Sequence, residues 1–277
     1  MTDYLLEISF DDPSDEELIL SKLFLTASTG STSTEDTVLA YFDSPADRDA
    51  AADLLRDFDT RAFERERVDW LQKYQQSLEP LFIGQRFVVV PDPSLIPESA
   101  ELTIIVPQEQ AFGTGSHETT SLCIELLESL EQHDKLQGKR GLDIGAGSGI
   151  LALAMHRLGA RKAIAFDNDT DSYGALRDNR IRNSVPDSAM PLFIGSVEAL
   201  RAGKFDVVTM NIIPEVIVPL LGDVMPRLDA SSRLVLSGIL IVKRDDVVAS
   251  ARTHGLTLVD ERERGEWWAG VFRPARS

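Results

Sequence analysis

The chain has a single cysteine in 277 residues. Without a second thiol no internal disulfide can form, and the length is sufficient to bury a core without one. Cys123 falls in the helical pattern SLCIELLESL, where a small buried hydrophobe is expected, and a reducing, cytoplasmic compartment fits. Long apolar runs are also missing, since none approaches the roughly 20 residues that span a bilayer. The opening MTDYLLEISFDD has no basic region before its apolar residues, so neither export nor membrane insertion is expected. Positive charge is scarce: 28 Lys and Arg stand against 45 Asp and Glu, a formal net charge of −17. That balance disfavours direct binding to nucleic acid or acidic lipid and favours a basic protein partner.

The acidity is uneven. Residues 1–69 carry 18 acidic and 6 basic side chains, whereas residues 70–277 carry 27 and 22. Such concentration in one segment points to a docking surface. In that segment YLLEISF, DTVLAYF and RAFERERV read as strands, and DEELILSKLFLTAS and PADRDAAADLLRDF as helices, the second opened by Ser44 and Pro45. The β-α-β-α-β order implies a small acidic α+β domain over residues 1–68, with TASTGSTSTED as a loop. A connecting helix is expected over 69–81, stopped by Pro80, with Trp70 and Tyr74 on one face for packing between domains. The third part, 82–277, begins with two strands, RFVVVP and LTIIVP.

From about residue 116, helices alternate with strands, which predicts a parallel sheet covered on both faces. LTLVDERERG and EWWAGVFRP break the alternation and predict an antiparallel hairpin turning at Gly265. Within this region, GLDIGAGSGILALAM ends a strand at Asp143, sets Gly145, Gly147 and Gly149 at alternate positions, and opens a helix. Its backbone N–H groups are expected to face a ligand at the carboxyl end of the sheet. The spacing is not the dinucleotide G-x-G-x-x-G, because Ile150 stands where the third glycine would fall. Asp143 would repel a pyrophosphate but can bond an ammonium group, directly or through water, so an amino-acid ligand suits the site better. Asp167, 22 residues beyond Gly145, ends the next strand where a carboxylate can accept both vicinal hydroxyls of a ribose. Together these acids describe a pocket for S-adenosylmethionine. Asp169 and Asp171 read as helix-capping acids. Asn211, at the end of VVTMNII, is placed over the same crevice and can orient an amine nucleophile.

The residues 111–120, AFGTGSHETT, precede the glycine loop. With DIGAGSGILA, DND, MNI and the LSGIL of residues 236–240, they make the chain resemble the ribosomal protein L11 methyltransferase family (PrmA). The resemblance implies an α/β fold: a class I methyltransferase, Rossmann-like sheet with an antiparallel C-terminal hairpin, plus a small N-terminal α+β, ferredoxin-like domain that recognises the substrate. It implies methyl transfer from S-adenosylmethionine to amines of a ribosomal protein by a cytoplasmic monomer. Carried over by position, Thr120, Gly145, Asp167 and Asn211 hold the cofactor, joined on the pattern above by Asp143 and Gly147. Phe112, Gly113, Thr114 and Gly115 resemble a loop that folds over cofactor and amine, with Phe112 shielding the sulfonium, and His117 is a candidate general base. Three departures stand out: Glu118 replaces a proline, Ala146 a cysteine, and IIPEV follows Asn211 in place of ILAGP. The last borders the acceptor site. Two alternatives stay open: a class I methyltransferase acting on another protein or a small molecule, and a non-catalytic module that binds S-adenosylmethionine.

Overall fold

A computed structural model describes residues 2–34, 36–66, 79–107, 118–134, 136–200 and 203–275. It divides into two compact units, Met1–Gln76 and Ser77–Ser277. Most of the connecting helix expected over 69–81 lies outside the described residues. Glu79 and Pro80 are not helical and Leu81 already begins a strand.

The first unit runs β1 (Thr2–Ser9), α1 (Pro13–Leu23), β2 (Gly30–Ser33), β3 (Thr37–Phe42), α2 (Pro45–Leu54) and β4 (Asp59–Glu66). Both helices start on caps written in the sequence. Asp12 accepts the Ser14 N–H at 2.9 Å and Ser44 accepts that of Asp47 at 3.2 Å, each with proline at the first helical position. Strand β3 alternates, burying Val38, Ala40 and Phe42 with Leu6, Ile8, Ile19 and Leu55. The expected loop TASTGSTSTED is a misreading in its centre, where Gly30–Ser33 forms β2, an edge strand antiparallel to β3. All four of its residues are exposed, so only backbone pairing defines it and no hydrophobic alternation reveals it. The sheet order β2-β3-β1-β4, with every neighbouring pair antiparallel, is the ferredoxin-like arrangement.

The second unit opens with a three-stranded sheet of β5 (Leu81–Ile83), β6 (Phe87–Val90) and β7 (Leu102–Ile105). Then come α3 (Glu118–Asp134), β8 (Arg140–Ile144), α4 (Ile150–Arg157), β9 (Lys162–Asp167), α5 (Ser172–Arg182), β10 (Leu192–Ile194), β11 (Val207–Asn211), α6 (Pro214–Val224), β12 (Arg233–Leu240), α7 (Arg244–Thr253), β13 (Leu256–Arg264) and β14 (Trp267–Pro274). The seven strands from β8 onward order as β10-β9-β8-β11-β12-β14-β13. The first five are parallel, and β14 runs antiparallel between β12 and β13, with Gly265 at the hairpin turn at φ 56°. This is the Rossmann-like sheet with an antiparallel hairpin that the sequence predicts. Side chains alternate between its faces. Ala163, Ala165 and Val235 pack with α3, α4 and α5, whereas Leu142, Ile144, Met210 and Leu236 pack with α6 and α7. Cys123 lies fully buried in the first of these layers, and burial pushes its thiol up to about 12, which makes it inert. Among the described residues, no helix is long and apolar enough to cross a membrane.

Strand order reverses between β8 and β11, so the connections leaving them diverge to opposite sides and open a crevice at their carboxyl ends. Asp143 sits beneath that crevice, 1% exposed. Its Oδ1 accepts the Thr209 hydroxyl of β11 at 2.6 Å and its Oδ2 the Ala152 N–H of α4 at 3.2 Å. Burial raises its carboxyl to about 7; these two hydrogen bonds pull the other way, and the charge of Asp167 adds to the rise. Nearby, Gly238 occupies the irregularity in β12 between Leu236 and Ile239 at φ 80°, and a Cβ there would lie 2.6 Å from the Ile212 carbonyl oxygen. That contact explains the glycine of LSGIL in physical terms.

Two outcomes follow for stability. The folded protein binds the Asp143 proton more tightly than the unfolded chain, so this group stabilises at low pH. That contribution is lost as pH rises from about 4 to about 7. Urea unfolding of Asp143→Asn at pH 5 and pH 8 should therefore show a smaller loss on raising pH than the parent chain, by an amount of order a few kcal/mol at about 1.4 per pKa unit. Equal losses in the two proteins would contradict the assignment. Gly238→Ala should be destabilised by roughly 2 kcal/mol or more, since it combines a left-handed backbone with a backbone collision; an unchanged unfolding midpoint would refute that account.

Candidate active site

A cavity of about 640 Å³ opens at the carboxyl ends of β8, β9 and β11. Thr120, Gly145, Gly147, Asp167 and Asn211 all line it, so residues scattered over more than 90 positions in the sequence meet around one space. The loop at 111–117, with Phe112, Gly113, Thr114, Gly115 and His117, lies outside the described residues.

The three loop glycines have φ of 69°, 51° and 79° at Gly145, Gly147 and Gly149, so the backbone itself requires them. The expectation that the loop's N–H groups face a ligand needs correction. Those of Gly145 and Ala146 donate to the Phe166 carbonyl at 3.0 Å, and that of Gly149 to the Ala146 carbonyl at 2.7 Å. The Gly147 N–H donates to Asp167 Oδ2 at 2.8 Å. The loop thus brings a smooth backbone surface to the cavity while its donors lock β8 to β9. Such an arrangement leaves little for a pyrophosphate to bind.

Asp167 also accepts the Asp169 N–H through Oδ1, at 3.0 Å. An ionised carboxylate has about four acceptor positions, so two remain for a pair of vicinal hydroxyls. The neighbouring acids divide differently from the expectation that both cap a helix. Asp169 accepts the Asp171 N–H at 2.9 Å and shapes the turn, while Asp171, at the N-cap, makes no side-chain cap bond because its backbone is already helical, at φ −71° and ψ −25°.

Asn211 ends β11 and donates from Nδ2 to the Thr120 hydroxyl oxygen at 3.3 Å. Its Oδ1 is buried and accepts no hydrogen bond among the described residues. An orphan acceptor on a cavity wall is costly unless a ligand supplies a donor. Asp143 is not part of the lining; both its oxygens are engaged below the floor, so it acts on the site through the loop and strands it ties together.

The sequence reading missed two walls, one of them formed by Gly195, Ser196 and Val197 after β10. Ile212, Ile213, Glu215, Val216, Pro219 and Leu220 line the cavity from the start of α6. The available signal was the strand-end Asn211 followed directly by a helix opened by Pro214, which places first-turn side chains over the crevice. Among the described residues no Lys, Arg or His belongs to the lining, while Asp167 and Glu215 do. The cavity therefore suits ligands that carry positive charge. Among the described residues, no group of His, Cys, Asp and Glu can hold a metal ion.

Residues 9–274 match the family model described as ribosomal protein L11 methyltransferase (PrmA). The chain is 34% identical over 310 residues to the ribosomal protein L11 methyltransferase of Pelobacter propionicus, covering 99% of each. It is 30% identical to the protein of that name from Geotalea uraniireducens, covering 99% of this chain and 93% of the relative. The crystal structure of a ribosomal protein L11 methylase from Lactobacillus delbrueckii subsp. bulgaricus superimposes with a TM-score of 0.64, covering 72% of this chain and all of the other, and at 23% identity it speaks for the fold. With nearly its whole length matched by the model and by full-length relatives, the chain belongs to the ribosomal protein L11 methyltransferase (PrmA) family.

Proposed function

We propose that the chain is an S-adenosylmethionine-dependent methyltransferase that methylates amines, of lysine side chains or an N-terminus, on ribosomal protein L11 in the cytoplasm. The observation that carries this reading is the convergence of Thr120, the glycine loop, Asp167 and Asn211 on one cavity that has no basic side chain among the described residues. The residues present fit S-adenosylmethionine. Asp167 keeps two acceptor positions for its ribose, the glycine loop allows close approach, and the acidic lining suits its sulfonium and ammonium charges.

When bound, S-adenosylmethionine supplies an electrophilic methyl group for in-line displacement. The protein's part is to hold a neutral amine about 3 Å from that carbon and to exclude water. Asn211 is the group best placed to orient the amine: its Nδ2 is fixed on Thr120, which leaves the unsatisfied Oδ1 to accept an N–H. The family resemblance assigns Phe112, Gly113, Thr114 and Gly115 to contacts with cofactor and amine, and His117 is a candidate proton acceptor. The acidic N-terminal unit docks the basic substrate by complementary charge, and steering of this kind weakens with salt.

Incubation with tritiated S-adenosylmethionine should label L11 in preference to RNA or small metabolites. Labelling of RNA or a metabolite alone would favour the alternative methyltransferase, and failure to bind S-adenosylmethionine by calorimetry would leave a module without the reaction. The variant Asn211→Ala, tested at saturating cofactor, should turn over roughly 100-fold more slowly through loss of amine alignment. Near-normal methylation would remove Asn211 from the mechanism.

A further inference from the structure

Glu215 is the one cavity-lining carboxylate left without a partner among the described residues. Asp167, the other, is held by two backbone N–H groups. It lies four residues beyond Asn211, in the first turn of α6, exposed to solvent at the cavity wall. Its surroundings there are apolar: Ile213 and Val216 are 57% and 42% exposed, and Ile212 and Pro219 also line the cavity. A proline inside α6 has no N–H to donate four residues back, so the Glu215 carbonyl loses its helical partner. Glu215 thus offers a carboxylate at a cavity that the strand-end Asn211 also lines.

We propose that Glu215 is a specificity-determining residue for the acceptor. Its carboxylate captures the ammonium form of the incoming amine, and the apolar residues around it receive the aliphatic stem or backbone that carries that amine. The inference rests on the reading that this cavity methylates protein amines, and it assigns the recognition of that amine's charge to a residue outside the glycine-loop machinery. An alkylammonium has three donors and a lysine stem four methylenes, so an acid ringed by Ile213 and Val216 matches both parts of the group. Carboxylates are far weaker bases than alkylamines, so Glu215 positions the amine and does not take its proton.

The test is a steady-state comparison of the full chain with Glu215→Gln and Glu215→Asp, using intact L11 as acceptor and calorimetry for S-adenosylmethionine binding. An exposed ion pair predicts a rise of roughly three- to fivefold in the KM for L11 in Glu215→Gln, with kcat moving much less. Glu215→Asp should recover most of the loss, and the KM of Glu215→Gln should depend less on added salt than that of the parent. An unchanged KM in Glu215→Gln would overturn the proposal. So would a weakening of cofactor affinity in proportion to KM, which would assign the carboxylate to S-adenosylmethionine. If the parent chain itself fails to label L11 while labelling another acceptor, the functional reading fails first, and the assignment to a protein amine falls with it.

Discussion

The site depends on one buried carboxylate. Asp143 receives a hydroxyl from β11 and an N–H from the first turn of α4, so the two strands that flank the reversal of sheet order, and the helix after the glycine loop, are fixed to each other at one point. The sheet opens there because β8 feeds β9 on one side while β11 lies on the other. The backbone ladder already pairs β8 with β11, and the side chain adds the link to α4 beneath the crevice. Keeping an acid below it has a cost, visible in the rise of its pKa, and the charge of Asp167 only a strand away adds to that cost. A cationic ligand above the floor relieves both.

The cavity's electrostatic character follows from what the loop does with its own donors. Gly145, Ala146 and Gly147 direct their N–H groups to Phe166 and Asp167, so the positive ends of the loop dipoles are consumed within the protein. A phosphate-binding loop leaves those donors for its ligand. Here the carboxylate and amide oxygens at the cavity are two positions on Asp167, the Oδ1 of Asn211 and the carboxylate of Glu215, beside the side chains of Thr120, Asn168 and Ser196. Hydroxyls, an ammonium and an amine satisfy such a set, whereas a pyrophosphate does not.

Much of this was legible in the sequence, for identifiable reasons. The parallel sheet announced itself through apolar runs punctuated by glycine, and the hairpin through two successive strands around Gly265. The convergence of Gly145, Asp167 and Asn211 followed from each standing at a strand's carboxyl end. What escaped had no local signature. Strand β2 is wholly exposed and polar, and β5 is three residues long. Two buried polar side chains organise the small sheet from afar. Glu128 accepts the N–H groups of Gln85 and Arg86, both at 2.9 Å, from 42 or 43 residues away. Asn183 both accepts from and donates to the backbone of Ile105, 78 residues earlier, at 2.9 and 2.7 Å. Each looks like an ordinary helix residue until the fold supplies its partner.

The wall contributed by α6 shows the same limit where it matters for specificity. In sequence IIPEV is a departure beside Asn211, and its geometry gives the departure a physical content. Pro214 starts the helix immediately after the strand, so the first turn cannot swing away from the crevice. Pro219 then interrupts the hydrogen-bond ladder one turn later and leaves the Glu215 carbonyl unmatched. The entrance of the helix thereby presents the Glu215 carboxylate at the cavity, bordered by exposed Ile213 and Val216. The strands and glycine loop determine what can be held at the floor of the cavity, and this first helical turn determines which amine can approach it.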